Sequence, residues 1–373
     1  MNGLVKVFIA QSQQYPRLNP YFIILCLLIN LGCEIDPPSS NQGSDMMVEG
    51  TQTHEWSAEA TFDLDTGTVM SIWGTGTDTT WPEKQVWAVG GQPEQGRLWA
   101  RVNNEWQSQE VPAGPLLNWV HGAEGHLWIV GNDGRALRKV DSAVGGTDEW
   151  ESFDSDTTQD LWGVFVMSPN EVWAVGGNPN GQGDPDPVLT RFDGEIWHRV
   201  ALPEADRNGV RALFKVYGDR SSGQVFAVGM KGVIYGDLGQ GWTQLSVLSA
   251  NDSPPTSEDF VSLWQVDNQL LAVGGRSNGV VARWNGQEWR SAMLTGIPGL
   301  NGVWLDANGN ATVVGVRGAA LRLEPEQFEG TRERTQTSLV LHAIWGDGER
   351  VWAVGGSLDS SAPWEGIILT SSH

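Results

Sequence analysis

Apolar residues along this chain fall into short runs separated by polar, glycine-rich stretches, and no long segment repeats them at i, i+3, i+4 and i+7. The runs are therefore read as strands rather than helices. One phrase, VWAVGG, stands at 86–91, 172–177 and 351–356. Relaxed to an apolar run closed by glycine, the pattern recurs as LWIVG (127–131), VFAVG (225–229), LLAVG (270–274) and ATVVG (311–315). The closing glycines stand at 90, 131, 176, 229, 274, 315 and 355, between 40 and 53 residues apart. Recurrence at that length marks an array of one supersecondary unit.

Each unit holds more than the phrase. Ahead of it lies an apolar run with an aromatic or a substitute near its end: SIWG (71–74), WVHG (119–122), GVFV (163–166), ALFK (212–215), SLWQ (262–265), GVWL (302–305) and AIWG (343–346). Turn residues such as SPNE and GDGER separate this run from the phrase, which predicts a hairpin. Behind the phrase come a third strand, as in VLTRF (188–192) and VVARW (280–284), and a fourth marked by Trp106, Trp150, Trp197, Trp242, Trp289 or Phe328. We name these strands A to D in chain order.

Strand B, the phrase itself, is apolar at nearly every position, so it needs cover on both faces. Four short antiparallel strands per repeat, each sheet packed between two others, predict an all-β, seven-bladed β-propeller over residues 53–373. The last unit stops after its strand C, GIILTSS (366–372), and the first is preceded by an unpaired candidate D strand in HEWSAEATF (54–62). Pairing these two would close the ring and leave no open edge. The double glycine is expected to turn the chain out of the sheet at positive φ, and the tryptophans to fill the space between blades.

Composition agrees with short packed strands: the 373 residues include 47 glycines and 20 tryptophans, with 40% hydrophobic content. A formal charge of −22, with no basic run, argues against a nucleic-acid partner. Residues 1–32 carry only Lys6 and Arg17 as charges and end in the apolar run YFIILCLLIN followed by Leu31, Gly32 and Cys33. That run is short for a bilayer span and suits the apolar region of a signal peptide. Residues 33–52 are polar and aperiodic, as a tether would be. The chain has two cysteines, Cys26 in the apolar run and Cys33 after it, which leaves none for the body.

The Gly32–Cys33 ending resembles the signal of bacterial lipoproteins. The resemblance implies that Cys33 is the acylated mature N-terminus, and Glu34 after it implies the outer membrane. RFDGEIW (191–197) and RWNGQEW (283–289), with Gly239 placed likewise before Trp242, resemble the Asp-box (bacterial neuraminidase) repeat and the propellers of photosystem II assembly factors. The double glycine after an apolar strand is also similar to kelch repeats. These families imply a propeller fold; they include enzymes, lectins and scaffolds, so they imply no single activity.

In an antiparallel meander the B–C and D–A connections share one face, and the long ones, such as 176–188 and 355–366, belong to it. Near that mouth of the channel, one residue of each A strand is expected to form a ring: Met70, Asn118, Trp162, Arg211, Val261, Asn301 and His342. Asn118, Trp162, Arg211, Asn301 and His342 are its candidate ligand-binding members. Trp81, Trp119, Trp162 and Trp364 lie off the repeat positions and are candidates for stacking on sugar rings or anchoring a partner. No catalytic or phosphate-binding motif is present, the six histidines show no metal spacing, and no cofactor is expected. DANGN (306–310) begins like a calcium loop but is read as a hairpin turn, because it lacks the later ligands. The leading expectation is a monomeric, lipid-anchored, non-enzymatic binding or assembly scaffold of the bacterial cell envelope. Its ligand would be a protein or a glycan; a lectin and a glycan-active hydrolase are the alternatives.

Overall fold

The computed structural model describes residues 55–76, 80–81, 84–140, 149–181, 184–203, 209–250 and 257–372. The signal peptide, the tether and Cys33 lie outside them. The strands form seven sheets arranged as a seven-bladed β-propeller. Blade 3 shows the unit: strands Leu161–Ser168, Glu171–Gly176, Val188–Phe192 and Trp197–Arg199 pair antiparallel in that order. Strand A is innermost and strand D outermost.

The B strands are buried over nearly all their length, and wholly so in Val225–Gly229 and Ala311–Gly315, because each lies between two neighbouring sheets. Aromatic side chains fill the wedges between blades. Trp128 of the second blade packs against Phe192 and Trp197 of the third, with ring centroids 4.9 and 5.3 Å away. Phe226 meets Trp284 and Trp289 of the next blade in the same manner. Truncating fully buried Trp128 to alanine is expected to cost about 3–5 kcal/mol, read as a lower urea midpoint with an unchanged slope.

The ring closes through its ends. Ser57–Phe62 pairs antiparallel with Gly366–Ser372, with Phe62 opposite Gly366 and Ser57 opposite Thr370. This N-terminal strand also ties three blades. Trp56 Nε1 donates to Glu333 Oε2 of blade 6 at 2.8 Å, Glu59 Oε2 accepts from Trp352 Nε1 of blade 7, and Glu59 Oε1 accepts from Arg101 Nε of blade 1, both at 2.6 Å.

Four details depart from the sequence expectations. The fifth blade has a fifth strand, Val247–Ser249, running parallel to the outer strand Trp289–Leu294. In blade 6 strand D is Thr331–Glu333, so Phe328 precedes it rather than lying within it. Strand A of blade 4 is Leu213–Gly218, which makes Tyr217, not Phe214, its repeat aromatic. The observed register differs from the expected one by three residues, because two aromatics stand three apart and the following turn, 219–224, is long.

The fourth concerns the glycines. Every A strand carries a β-bulge opposite the closing glycine of strand B: Met70, Asn118, Trp162, Phe214, Val261, Asn301 and His342 are the extra residues. The closing glycine itself is extended, with φ −159° at Gly131 and −166° at Gly229. It is required by close approach. A Cβ on Gly274 would stand 1.9 Å from the Asp259 carbonyl oxygen, and one on Gly355 1.9 Å from that of Val340. Positive φ belongs to the second glycine where there is one, as at Gly91 (+120°), Gly177 (+130°) and Gly275 (+92°), though not at Gly356.

Candidate functional site

The bulges create the site. A bulge inserts one residue into a strand and re-aims side chains there. Repeated around a ring of innermost strands, it turns seven side chains onto the channel at the B–C face. All seven extra residues line one cavity of about 60 Å³, together with Trp119, Lys215 and Val340.

Asn118, Trp162, Asn301 and His342, expected from the sequence, are therefore brought together, with Met70 and Val261 between them. Arg211 is not among them. The blade 4 register moves Phe214 into its place, and Arg211 is half-buried, donating from Nε to Asn178 O and from Nη2 to Asp184 O, each at 3.4 Å. Lys215, which follows the bulge in blade 4, was not singled out by sequence reasoning. Correct alignment of Tyr217 with Trp73 and His121 would have exposed it.

Polar groups in this cavity are buried. Asn118 Nδ2 donates to Asn132 Oδ1 and to Leu161 O of the next blade, both at 2.9 Å, while its Oδ1 has no hydrogen-bond partner. Asn301 repeats the bond across blades, with Nδ2 donating to Leu341 O at 3.1 Å. His342 Nε2 is buried without a partner, and burial pushes its imidazole down to about 3. Trp162 Nε1 donates to Gly177 O at 2.9 Å. The Lys215 ammonium lies over the Trp119 ring, 2.7 Å from its centroid, and burial holds this amine well below the usual lysine range.

Three of the four off-register tryptophans are interior: Trp81, Trp162 and Trp364 are 7%, 7% and 1% exposed. Trp119 is half-buried in the channel. They do not form a surface platform for sugars.

The opposite mouth, on the A–B face, is wider, about 590 Å³, and lined by aromatic residues three positions after the bulges. Trp73, His121, Phe165, Tyr217 and Trp264 follow one another around it; His121–Phe165 and Phe165–Tyr217 centroids are each 4.7 Å apart. Each ring leans on the next blade. A Cβ on Gly122 would lie 2.7 Å from Trp73, and one on Gly346 2.8 Å from Trp304, which explains why glycine so often follows the aromatic. His121 Nδ1 accepts from Val166 N at 3.1 Å. Burial and the Arg220 guanidinium hold His121 well below the usual imidazole range, so it is neutral there. The DANGN segment is the blade 6 hairpin turn: Asp306 Oδ1 accepts from the backbone N–H groups of Asn308 and Asn310.

Asp160, just before the blade 3 A strand, accepts the Asp133 N–H at 3.0 Å and so holds the B–C turn of blade 2. Burial raises its carboxyl to about 6. A raised carboxyl favours the protonated fold, so its contribution is complete below about pH 4 and is lost as pH rises through about 6. Asp160→Asn keeps the acceptor without the charge. It is expected to unfold about 2 kcal/mol later than the parent at pH 7.5 and to lose that advantage at pH 4, measured by urea unfolding at both values. An unchanged gap between the two pH values would count against this assignment.

The geometry defines the class as a seven-bladed propeller with a bulge-lined channel. No protein-family model and no curated protein matches the chain. Among solved structures it is similar to the WD40 β-propeller domain of Doa1, with TM-score 0.60 and 11% identity over 84% of this chain and 96% of that one. It is similar also to YCF48 bound to D1 peptide, TM-score 0.58 and 14% identity over 87% and 97% of the two chains. YCF48 from Cyanidioschyzon merolae gives TM-score 0.57 and 14% identity over 85% and 98%. At these identities the likeness is one of fold.

Proposed function

We propose that this chain is a lipid-anchored propeller of the bacterial cell envelope, an outer-membrane lipoprotein acylated at Cys33, that acts as a non-enzymatic binding or assembly scaffold. The observation that carries the reading is the B–C face. Seven equivalent positions of a rigid ring there hold Met, Asn, Trp, Phe, Val, Asn and His, whereas packing alone would repeat one residue type. Beside them stands the exposed 184–186 segment, braced by Arg211. Connections over a rigid frame are where recognition concentrates. YCF48, a propeller of similar fold, is known bound to a peptide, which supports a protein segment as the ligand here. The interior position of Trp81, Trp162 and Trp364 favours that ligand over a glycan.

The test is capture from detergent-solubilised native membranes with the whole chain as bait. One partner should be retained reproducibly and lost when 179–186 is replaced by a glycine–serine linker, but kept when the A–B turn 219–224 is so replaced. Retention through the first replacement and loss through the second would place the partner on the other face and overturn the reading. Cys33→Ala should move the chain from the membrane to the soluble fraction; a chain still held in the membrane would refute the anchor.

A further inference from the structure

The propeller frame has no need of a lysine at 215. The residue following the bulge is Ser71, Trp119, Gly163, Ser262, Gly302 or Ala343 in the other blades, and blade 4 alone sets a cation there. Lys215 is 4% exposed. The cavity beside it has no acidic residue in its lining, and the Lys215 Nζ lies over the Trp119 ring. Burying a lysine amine is costly, and a frame that needed only bulk would be better served by methionine or leucine.

Two residues of the same lining carry further buried polar atoms. Asn118 Oδ1 and His342 Nε2 are buried, on side chains 2% and 8% exposed, and neither has a hydrogen-bond partner. Buried polar atoms are nearly always satisfied, so these two, beside the buried Lys215 amine, point to something they bind. The space, about 60 Å³, suits a carboxylate on a short carbon stem. A doubly charged phosphate would need more donors than one ammonium and one imidazole N–H, and the −22 charge of the chain opposes it further.

We infer that the B–C end of the channel binds a carboxylate group, with Lys215 receiving its charge, His342 Nε2–H donating to it, and Trp119 and Trp162 walling its carbon stem. Asn118 Oδ1 is then placed to accept from an N–H or O–H next to the carboxylate. The carboxylate could come from a free short-chain acid or from a chain terminus inserted by a bound protein, and the second source rests on the scaffold reading above.

The test titrates the whole chain, in detergent, with sodium acetate by calorimetry at constant ionic strength, with sodium chloride as control. Acetate should bind saturably in the millimolar range. Lys215→Met should weaken it at least about tenfold and His342→Leu about threefold, with circular dichroism unchanged. Magnetisation transfer from indole protons to the acetate methyl group, measured on the unaltered chain, tests the same contact should Lys215→Met not fold. Tetraalanine binding where its C-terminal amide does not would identify a chain terminus as the source; acetate binding without tetraalanine binding would identify a free acid. Absence of saturable acetate binding to the unaltered chain, or equal binding by a folded Lys215→Met, would overturn the inference. Acetate binding beside a failed membrane capture would leave this site standing and the scaffold reading refuted.

Discussion

Gly274→Ala is expected to cost about 3–5 kcal/mol, or to prevent folding, although alanine is the smallest possible addition. The added Cβ would lie 1.9 Å from the Asp259 carbonyl oxygen and 2.8 Å from Phe260 Cα, both backbone atoms that cannot rotate aside. Relief requires strand A to move away from strand B at the bulge, and strand A is the innermost wall of the ring. The control is Gly286→Ala in the C–D turn of the same blade. Gly286 has φ +94° and nothing within 4 Å of its Cβ position, so only the backbone preference of alanine opposes it, at about 1 kcal/mol. Urea unfolding of both variants checks the contrast. Equal losses would show that the closing glycines serve conformational freedom and not close approach.

Deleting residues 55–62 is expected to have an effect of similar size and a different character. The five residue pairs of the ladder to Gly366–Ser372 vanish, leaving that strand with an open edge. Trp352 Nε1 and Arg101 lose the Glu59 carboxylate, and Glu333 loses the Trp56 donor. Loss of the shared carboxylate alone is worth about 3 kcal/mol, because both side chains it joins are largely buried. The truncated chain should melt well below the parent and associate through the open edge, seen by scanning calorimetry and light scattering. A peptide of residues 55–64 added in excess should restore much of the midpoint. A truncated chain that melts with the parent and stays monomeric would show that the N-terminal strand is not what closes the ring.

The candidate site was legible in the sequence to the extent that one rule per blade located it. That rule found Asn118, Trp162, Asn301 and His342, because the apolar runs of their A strands were placed in the register that the pairing shows. It failed at Arg211, because ALFK and KVYG offer two aromatics in one blade and hydrophobic pattern does not choose between them. The pairing of Leu213 with Gly229 and Lys215 with Val228 chooses, and with it Phe214 and Lys215 enter the channel. The off-register tryptophans misled for a related reason: departure from the repeat says nothing about exposure, and Trp364 reaches the interior with its Nε1 bonded to Ser360 O.

What the sequence by itself determined is the architecture. An apolar phrase with a forty-residue rhythm, a missing last strand and an unpaired first one leave a closed seven-bladed wheel as the arrangement in which every strand is paired, because period and pairing are local properties that repetition amplifies. What the tertiary structure alone decided is the use of each glycine and the contents of the channel. Both depend on a single extra residue in each inner strand, and such a bulge alters which side chains face the axis without altering the composition or period that a sequence displays.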